Sequence, residues 1–122
     1  MLILTAKEQG DPVKVVNDQV GNPTSTAALA DLIAEFIDHH QPGIFHATCE
    51  GEATGYDLAA AIFALKGFNR AIVACTSREF LRPAPRPANS RLEKRAIHLK
   101  GFSPMPHWRI ALADFLKDHS QG

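Results

Sequence analysis

The prolines of residues 82–91 constrain the fold of this chain more than any other feature of its sequence. Pro83, Pro85 and Pro87 stand at alternate positions in the run Arg82-Pro-Ala-Pro-Arg-Pro-Ala-Asn-Ser-Arg91. Each proline fixes φ at about −65° and lacks a backbone donor, and each pushes the preceding residue toward extended conformations. The run therefore predicts a stiff extended segment, called the strap below, rather than a helix or a central strand. A proline-rich linker between two helical regions is the alternative.

The strap carries polar side chains on a backbone that its prolines hold nearly rigid. These are Arg82, Arg86, Asn89, Ser90 and Arg91. Guanidinium groups on a rigid support can bind an anionic ligand or a neighbouring segment at low entropic cost.

Composition predicts one small globular domain over residues 1–122. The chain is 45% hydrophobic and carries 13 basic and 13 acidic side chains. Overall neutrality gives no general attraction to nucleic acid or to membrane surfaces. No apolar run approaches the length of a membrane span, and no signal peptide follows Met1, so we expect a cytoplasmic protein. Cys49 and Cys75 are too few for a disulfide framework and are expected to be buried thiols.

Hydrophobic periodicity and turn residues predict an α/β order of elements. The amphipathic helices are expected at residues 24–39, with Thr24 or Ser25 as N-cap, at 55–66, with Thr54 as N-cap, and at 107–118. Strands are expected at residues 13–16, 44–48 and 70–76, and a charged helical stretch at 91–98. Residues 1–9 are typical of the end of a longer helix.

Familiar catalytic and metal motifs are absent from the sequence. Its six histidines form no H-x-x-x-H or H-E-x-x-H pair, and neither cysteine belongs to a C-x-x-C, so no metal site is predicted. Tyr56 is followed four residues later by Ala60, which excludes a Tyr-x-x-x-Lys pair there. The arginines near the strap have only Phe80 as an interleaved aromatic, so a nucleic-acid strip is not predicted.

Five motifs, in order, resemble the C-terminal half of dTDP-4-dehydrorhamnose reductases, which are extended short-chain dehydrogenases. They are Val16-Asn-Asp-Gln-Val-Gly-Asn-Pro-Thr24, Gly43-Ile-Phe-His-Ala, Tyr56-Asp-Leu-Ala, Arg86-Pro-Ala-Asn-Ser-Arg-Leu92 and Trp108-Arg-Ile-Ala-Leu112. The resemblance runs from about Val13 to Leu116. It implies an incomplete α/β fold of short strands and three main helices, without the Rossmann half.

The same resemblance implies a chain without catalytic residues of its own. The family reduces a nucleotide sugar with NADPH or NADH, but its glycine-rich turn and its Tyr-x-x-x-Lys pair belong to the missing half. We therefore expect no cofactor site and no catalytic residue in this chain, and no activity when it is alone. Two alternatives stay open. One is a non-catalytic binding or scaffold protein that complements a separate Rossmann chain, and the other is a small enzyme of unrelated chemistry.

The resemblance also suggests which residues contact a dTDP-sugar. A diphosphate requires guanidinium groups and hydrogen-bond donors on a rigid support. Arg86, Asn89 and Ser90 of the strap meet this need, and Gln19 and Thr24 are expected to approach from the other side. The structural alternative is that Arg86 pairs with Asp18, while Asn89 and Ser90 cap a helix that begins near Arg91.

The expected partners follow from the strand predicted at residues 44–48. In the family this strand would join the Rossmann sheet, so its edge and its apolar face should be exposed here. We expect either a homodimer or an association with a separate Rossmann chain.

Overall fold

The computed structural model describes residues 11–80 and 82–119, and these residues fall into two compact units. The first unit contains the residues up to Gly21 together with Ala53–Ser90, and the second contains Asn22–Glu52 together with the residues from Arg91 onward. The predicted helix end at residues 1–9 lies outside the described residues, and a single domain over residues 1–122 stays a prediction.

The first unit is built on two small sheets and one helix. Strand β1 (Val13–Val16) pairs in parallel with β4 (Ile72–Cys75), with Val13 opposite Ile72 and Val16 opposite Cys75. The two-residue strands β2 (Val20–Gly21) and β3 (Ala53–Thr54) pair antiparallel. Helix α2 (Gly55–Lys66) packs on β1, β3 and β4 and buries Ala59, Ala61, Ile62 and Phe63.

Both ends of α2 are fixed by local sequence. The Thr54 hydroxyl accepts a hydrogen bond from the Asp57 N–H (3.2 Å), and an Asp57 carboxylate oxygen accepts one from the Thr54 N–H (2.9 Å). This reciprocal capping box satisfies donors that the first turn of a helix leaves unpaired. Gly67 ends the helix in the left-handed conformation (φ 70°), which glycine adopts without steric cost.

The second unit packs three helices around an apolar core. They are α1 (Thr26–His39), the short α3 (Arg95–Leu99) and α4 (Trp108–Asp118). Ser25, rather than Thr24, is the N-cap of α1, because its hydroxyl accepts from the Ala28 N–H at 3.2 Å. The buried residues of this core are Leu32, Cys49, Ile97, Phe102, Met105, Trp108, Ala111 and Leu116.

The three main helices and two of the three expected strands are confirmed, and the fold is α/β as predicted. The prediction of a strand at residues 44–48 is wrong. A strand requires a neighbouring chain that exchanges main-chain hydrogen bonds with it. No described segment forms such a ladder with residues 44–48, and Ile44 is 90% exposed.

The helical stretch expected at residues 91–98 begins later than predicted. Residues 91–94 form no regular element, and the Leu92 N–H donates to the side-chain oxygen of Asn22 (2.8 Å). The helix starts only at Arg95, and no side chain caps it.

Candidate functional site

An open cleft of about 870 Å³ lies over β1 in the first unit. Its floor is formed by the residues of β1, and its edges by Gln19, by Gly55 at the start of α2 and by Ser77. Phe80 and residues 82–86 of the strap complete the wall. The cleft therefore joins two sequence-predicted site residues, Gln19 and Arg86, in one place.

The described residues that line the cleft carry positive charge and no negative charge. Lys14, Arg82 and Arg86 are the cations, and neither aspartate nor glutamate is among the lining residues. Phe80 adds an aromatic ring that is 45% exposed, and the guanidinium carbon of Arg82 lies 5.2 Å from the centre of that ring. Such a surface attracts anions and offers a flat apolar face beside them.

The strap is held in place by main-chain hydrogen bonds to β2. The Val20 N–H donates to the Ala88 carbonyl and the Ser90 N–H donates to the Val20 carbonyl, both at 2.9 Å. Val20 and Asn89 thus form a parallel bridge. Together with the prolines, this bridge restricts the backbone path of the segment that carries Arg86. Residues 82–90 contain neither helix nor regular strand, as predicted, and all are exposed, but the chain bends at Pro83, Ala84 and Ala88, so the segment is not extended throughout.

A hydrogen-bonded turn holds the segment that leads into Phe80. The Asp18 carboxylate accepts bonds from the Ser77 N–H (3.0 and 3.1 Å) and from the Ser77 hydroxyl (2.9 Å). These bonds hold the pKa of Asp18 below its ordinary value, and the bond from the Ser77 N–H has the largest effect. Glu79 closes the same turn by accepting from the Thr76 N–H at 2.7 Å.

These contacts overturn the structural alternative for the strap residues. Asp18 binds Ser77 instead of Arg86, and the Arg86 side chain forms no hydrogen bond or ion pair with the residues that the structure describes. Ser90 caps no helix, because its hydroxyl donates to the Val20 carbonyl (3.4 Å) and α3 begins five residues later, at Arg95. Asn89 lies in the bridge to Val20.

Three of the predicted site residues do not line the cleft. Asn89 and Ser90 anchor the strap beside β2, and the Ser90 hydroxyl lies so near Gly21 that a Cβ there would be 2.9 Å from it. Thr24 belongs to the second unit, where its hydroxyl donates to the Asn22 carbonyl (2.9 Å) and accepts from the Cys49 N–H (3.2 Å). Their ligand roles stay predictions, but each has a structural role in the described contacts.

Lys14, Phe80 and Arg82 are not among the site residues predicted from the sequence. A signal for two of them was present: Lys14 is the one charged residue in the apolar run of β1, and Phe80 is the aromatic nearest to the arginines. Arg82 was noted only as part of the strap. That these side chains meet depends on the parallel pairing of β1 with β4, which no local pattern encodes.

Within residues 11–80 and 82–119 no three His, Cys, Asp or Glu side chains are arranged to hold a metal ion. Cys49 and Cys75 are free and buried, as predicted. None of the helices in these ranges is long and apolar enough to cross a membrane.

Residues 1–121 match the family model of the RmlD substrate binding domain. The chain is 38% identical over 118 residues to the spore coat polysaccharide biosynthesis protein SpsK of Bacillus subtilis strain 168. The match covers 97% of this chain and 41% of that relative. The fold also resembles the crystal structure of a dTDP-4-dehydrorhamnose reductase from Clostridium acetobutylicum, with a TM-score of 0.92 and 37% sequence identity. That match covers 99% of this chain and 43% of the other.

A second solved structure is the dTDP-4-dehydrorhamnose reductase of Bacillus anthracis in complex with NADP. Its TM-score is 0.91 at 26% identity, over 96% of this chain and 42% of the other. The chain thus spans about two fifths of the length of these relatives. The resemblance inferred from the five motifs is confirmed: this chain belongs to the RmlD substrate-binding domain family.

Proposed function

We propose that this chain is the nucleotide-sugar-binding portion of a dTDP-4-dehydrorhamnose reductase, the activity that leads to dTDP-L-rhamnose. The observation that carries the proposal is the cleft of the first unit. Gln19 and Arg86 line it together, Lys14 and Arg82 add positive charge, and no carboxylate is among its described lining residues. A dTDP-sugar offers the matching group, a diphosphate.

Electrostatics and rigidity both favour diphosphate binding in this cleft. Lysine and arginine side chains form charge-assisted hydrogen bonds to phosphate oxygens, and arginine can do so with two parallel bonds. The strap is already ordered by its prolines and by its hydrogen bonds to Val20, so binding costs little further backbone entropy. Gln19 supplies a neutral amide next to these charges.

The proposed function does not extend to reduction by this chain alone. Reduction of a carbonyl requires a bound hydride donor and a proton donor. The 122 residues contain neither a G-x-G-x-x-G turn nor a Tyr-x-x-x-Lys pair. We therefore propose that the isolated chain binds a dTDP-sugar weakly, binds no nicotinamide cofactor and has no reductase activity.

The experiment is a titration of the purified chain with dTDP-L-rhamnose, followed by calorimetry at low ionic strength. We expect saturable binding that Arg86→Ala weakens about tenfold, because a charged group that contacts phosphate is removed. Arg78→Ala is the matched control, since Arg78 is an exposed arginine two residues before Phe80 that does not line the cleft. Melting temperatures of all three proteins report whether folding is preserved.

Two results would contradict the proposal. One is the absence of dTDP-L-rhamnose binding by the folded wild-type chain. The other is an equal loss of affinity in Arg86→Ala and Arg78→Ala, because general charge rather than the cleft would then account for binding. NADPH oxidation by the isolated chain in the presence of a dTDP-4-keto sugar would contradict the proposed inactivity.

A further inference from the structure

We infer that Asp18 is a positioning residue for the cleft: its carboxylate holds the wall, formed by Phe80 and residues 82–86, in place over β1 without contacting the ligand. The inference rests on the proposed function and deepens it. Asp18 is not among the described residues that line the cleft, so it acts through the segment to which it is bonded.

The wall is part of a loop that is attached to the rest of the first unit at both ends. At its start, the Ser77 N–H (3.0 and 3.1 Å) and the Ser77 hydroxyl (2.9 Å) donate to the Asp18 carboxylate. At its end, the Val20 N–H donates to the Ala88 carbonyl at 2.9 Å. The two attachment points are therefore the two neighbours of Gln19, which lines the cleft.

The wall has no other polar attachment in the part of the chain that the structure describes. Phe80 and residues 82–87 form no hydrogen bond or ion pair with the described residues outside the wall. The contact between the Arg82 guanidinium group and the Phe80 ring lies within the wall itself. Prolines restrict the backbone of this segment but do not set the direction in which it leaves β4. That direction depends on the two ends.

The bonds of Asp18 differ from those of Glu79, the other carboxylate at this turn. Glu79 accepts from the Thr76 N–H (2.7 Å), and its own N–H donates to the Thr76 carbonyl (3.1 Å). These bonds join residues of one turn, so they hold its shape and not its direction. Asp18 is 59 residues from Ser77 in the sequence, so its bonds fix the turn against the loop that carries Gln19.

The negative charge of Asp18 strengthens this attachment. An ionised carboxylate accepts stronger hydrogen bonds than a neutral oxygen does. The bonds from Ser77, above all the one from its N–H, lower the pKa of Asp18, so the side chain is ionised at neutral pH. A ligand that binds to a wall already held in place loses less conformational entropy. Loss of the Asp18 carboxylate should therefore weaken binding although no ligand contact is removed.

Trypsin digestion of the folded 122-residue chain tests the attachment directly. Trypsin cleaves after arginine and lysine except where proline follows, and both Arg82 and Arg86 precede a proline. The bond after Arg78 is thus the one cleavable bond between the two attachments. We expect Asp18→Ala to raise the rate of cleavage there about fivefold, because local opening exposes the bond. Cleavage after Lys100, an exposed residue of the second unit, should not change.

Calorimetric titration with dTDP-L-rhamnose is the second readout. Asp18→Ala should weaken binding about fivefold. General electrostatics predicts the opposite, because removal of a negative charge near a cationic cleft favours an anionic ligand. Asp18→Asn keeps an oxygen that can accept from the Ser77 N–H, so it should recover part of the affinity and part of the resistance to trypsin. Asp38→Ala, which removes an exposed carboxylate of the second unit, is the control.

The outcomes separate this inference from the proposed function. Equal cleavage after Arg78 in the wild type and in Asp18→Ala, or unchanged or tighter binding by that variant, would overturn the inference and leave the proposed function standing. Faster cleavage after both Arg78 and Lys100 would also overturn it, because Asp18 would then stabilise the fold in general. Faster cleavage after Arg78 alone, in a chain that binds no dTDP-L-rhamnose, would support the positioning of the wall and overturn the proposed function.

Discussion

Asn22 uses both ends of its side-chain amide to connect three segments of the second unit. Its Nδ2 donates to the Gly51 carbonyl (2.7 Å), and its Oδ1 accepts from the Leu92 N–H (2.8 Å). Asn22 belongs to the Asp-Gln-Val-Gly-Asn-Pro-Thr motif, which also contains the predicted site residues Gln19 and Thr24. An amide is required here because the position needs one donor and one acceptor at the same side chain.

The change Asn22→Asp tests this role. A carboxylate cannot donate to the Gly51 carbonyl, and it places negative charge against that oxygen. We expect the free energy of unfolding to fall by about 1–3 kcal/mol, the cost of an unsatisfied partly buried hydrogen-bonding group. Urea denaturation measures it. Asn69→Asp makes the same charge change at an exposed position, and an equal loss there would contradict the assigned role.

Asp18 gives a pH-dependent prediction. Hydrogen bonds from Ser77 hold its folded-state pKa below the ordinary value of 3.8. A lowered folded-state pKa means that the carboxylate contributes stability above that ordinary value and loses the contribution as the pH falls toward the folded-state pKa. The stability difference between wild type and Asp18→Asn should therefore be largest near neutral pH and shrink on acidification below pH 3.8.

Urea unfolding of both proteins at neutral and acidic pH measures this difference. Asp38→Asn, which removes an exposed carboxylate near the end of α1, is the control for a change of net charge. A wild-type advantage over Asp18→Asn that grows on acidification would show that the hydrogen bonds do not favour the ionised carboxylate.

Among the elements, those with local end signals were predictable from sequence. Thr54 and Asp57 form the expected start of α2, and Gly67 ends that helix. Hydrophobic periodicity located α1 and α4 within two residues of their observed ends. Each of these signals acts within one helical turn, so a single sequence contains all the information required.

Elements that depend on a distant segment were not predictable in the same way. Residues 44–48 have strand composition but no described pairing partner, and α3 begins only at Arg95, after a segment whose Leu92 N–H is bonded to Asn22. The cleft shows the same limit. Arg86 and Gln19 were predicted from the family resemblance, whereas Lys14 and Phe80 join them only through the parallel β1–β4 pair. A register of this kind is set by tertiary packing, not by local propensity.

For the whole molecule, the exposed apolar residues of the second unit bear on its partners. Ile33 and Ile37 lie one turn apart on α1 and are 48% and 64% exposed, and Ile44 is 90% exposed. Exposed large aliphatic side chains in one unit are typical of a surface that another chain covers. The chain spans about two fifths of the length of its relatives. The occupants we propose for these side chains are a second copy of the chain or a separate Rossmann chain.

We propose a homodimer for the chain alone. Light scattering coupled to size-exclusion chromatography should show a dimer at micromolar concentration. The double change Ile37→Lys with Ile44→Lys should shift it to monomer, because two charges would have to be desolvated in the interface. Leu65→Lys, on α2 of the first unit and 53% exposed in the wild type, should leave the dimer intact.

A wild-type chain that stays monomeric at tens of micromolar would rule out the homodimer. Recovery of reductase activity when a separate Rossmann chain is added to that monomer would instead identify the second kind of partner.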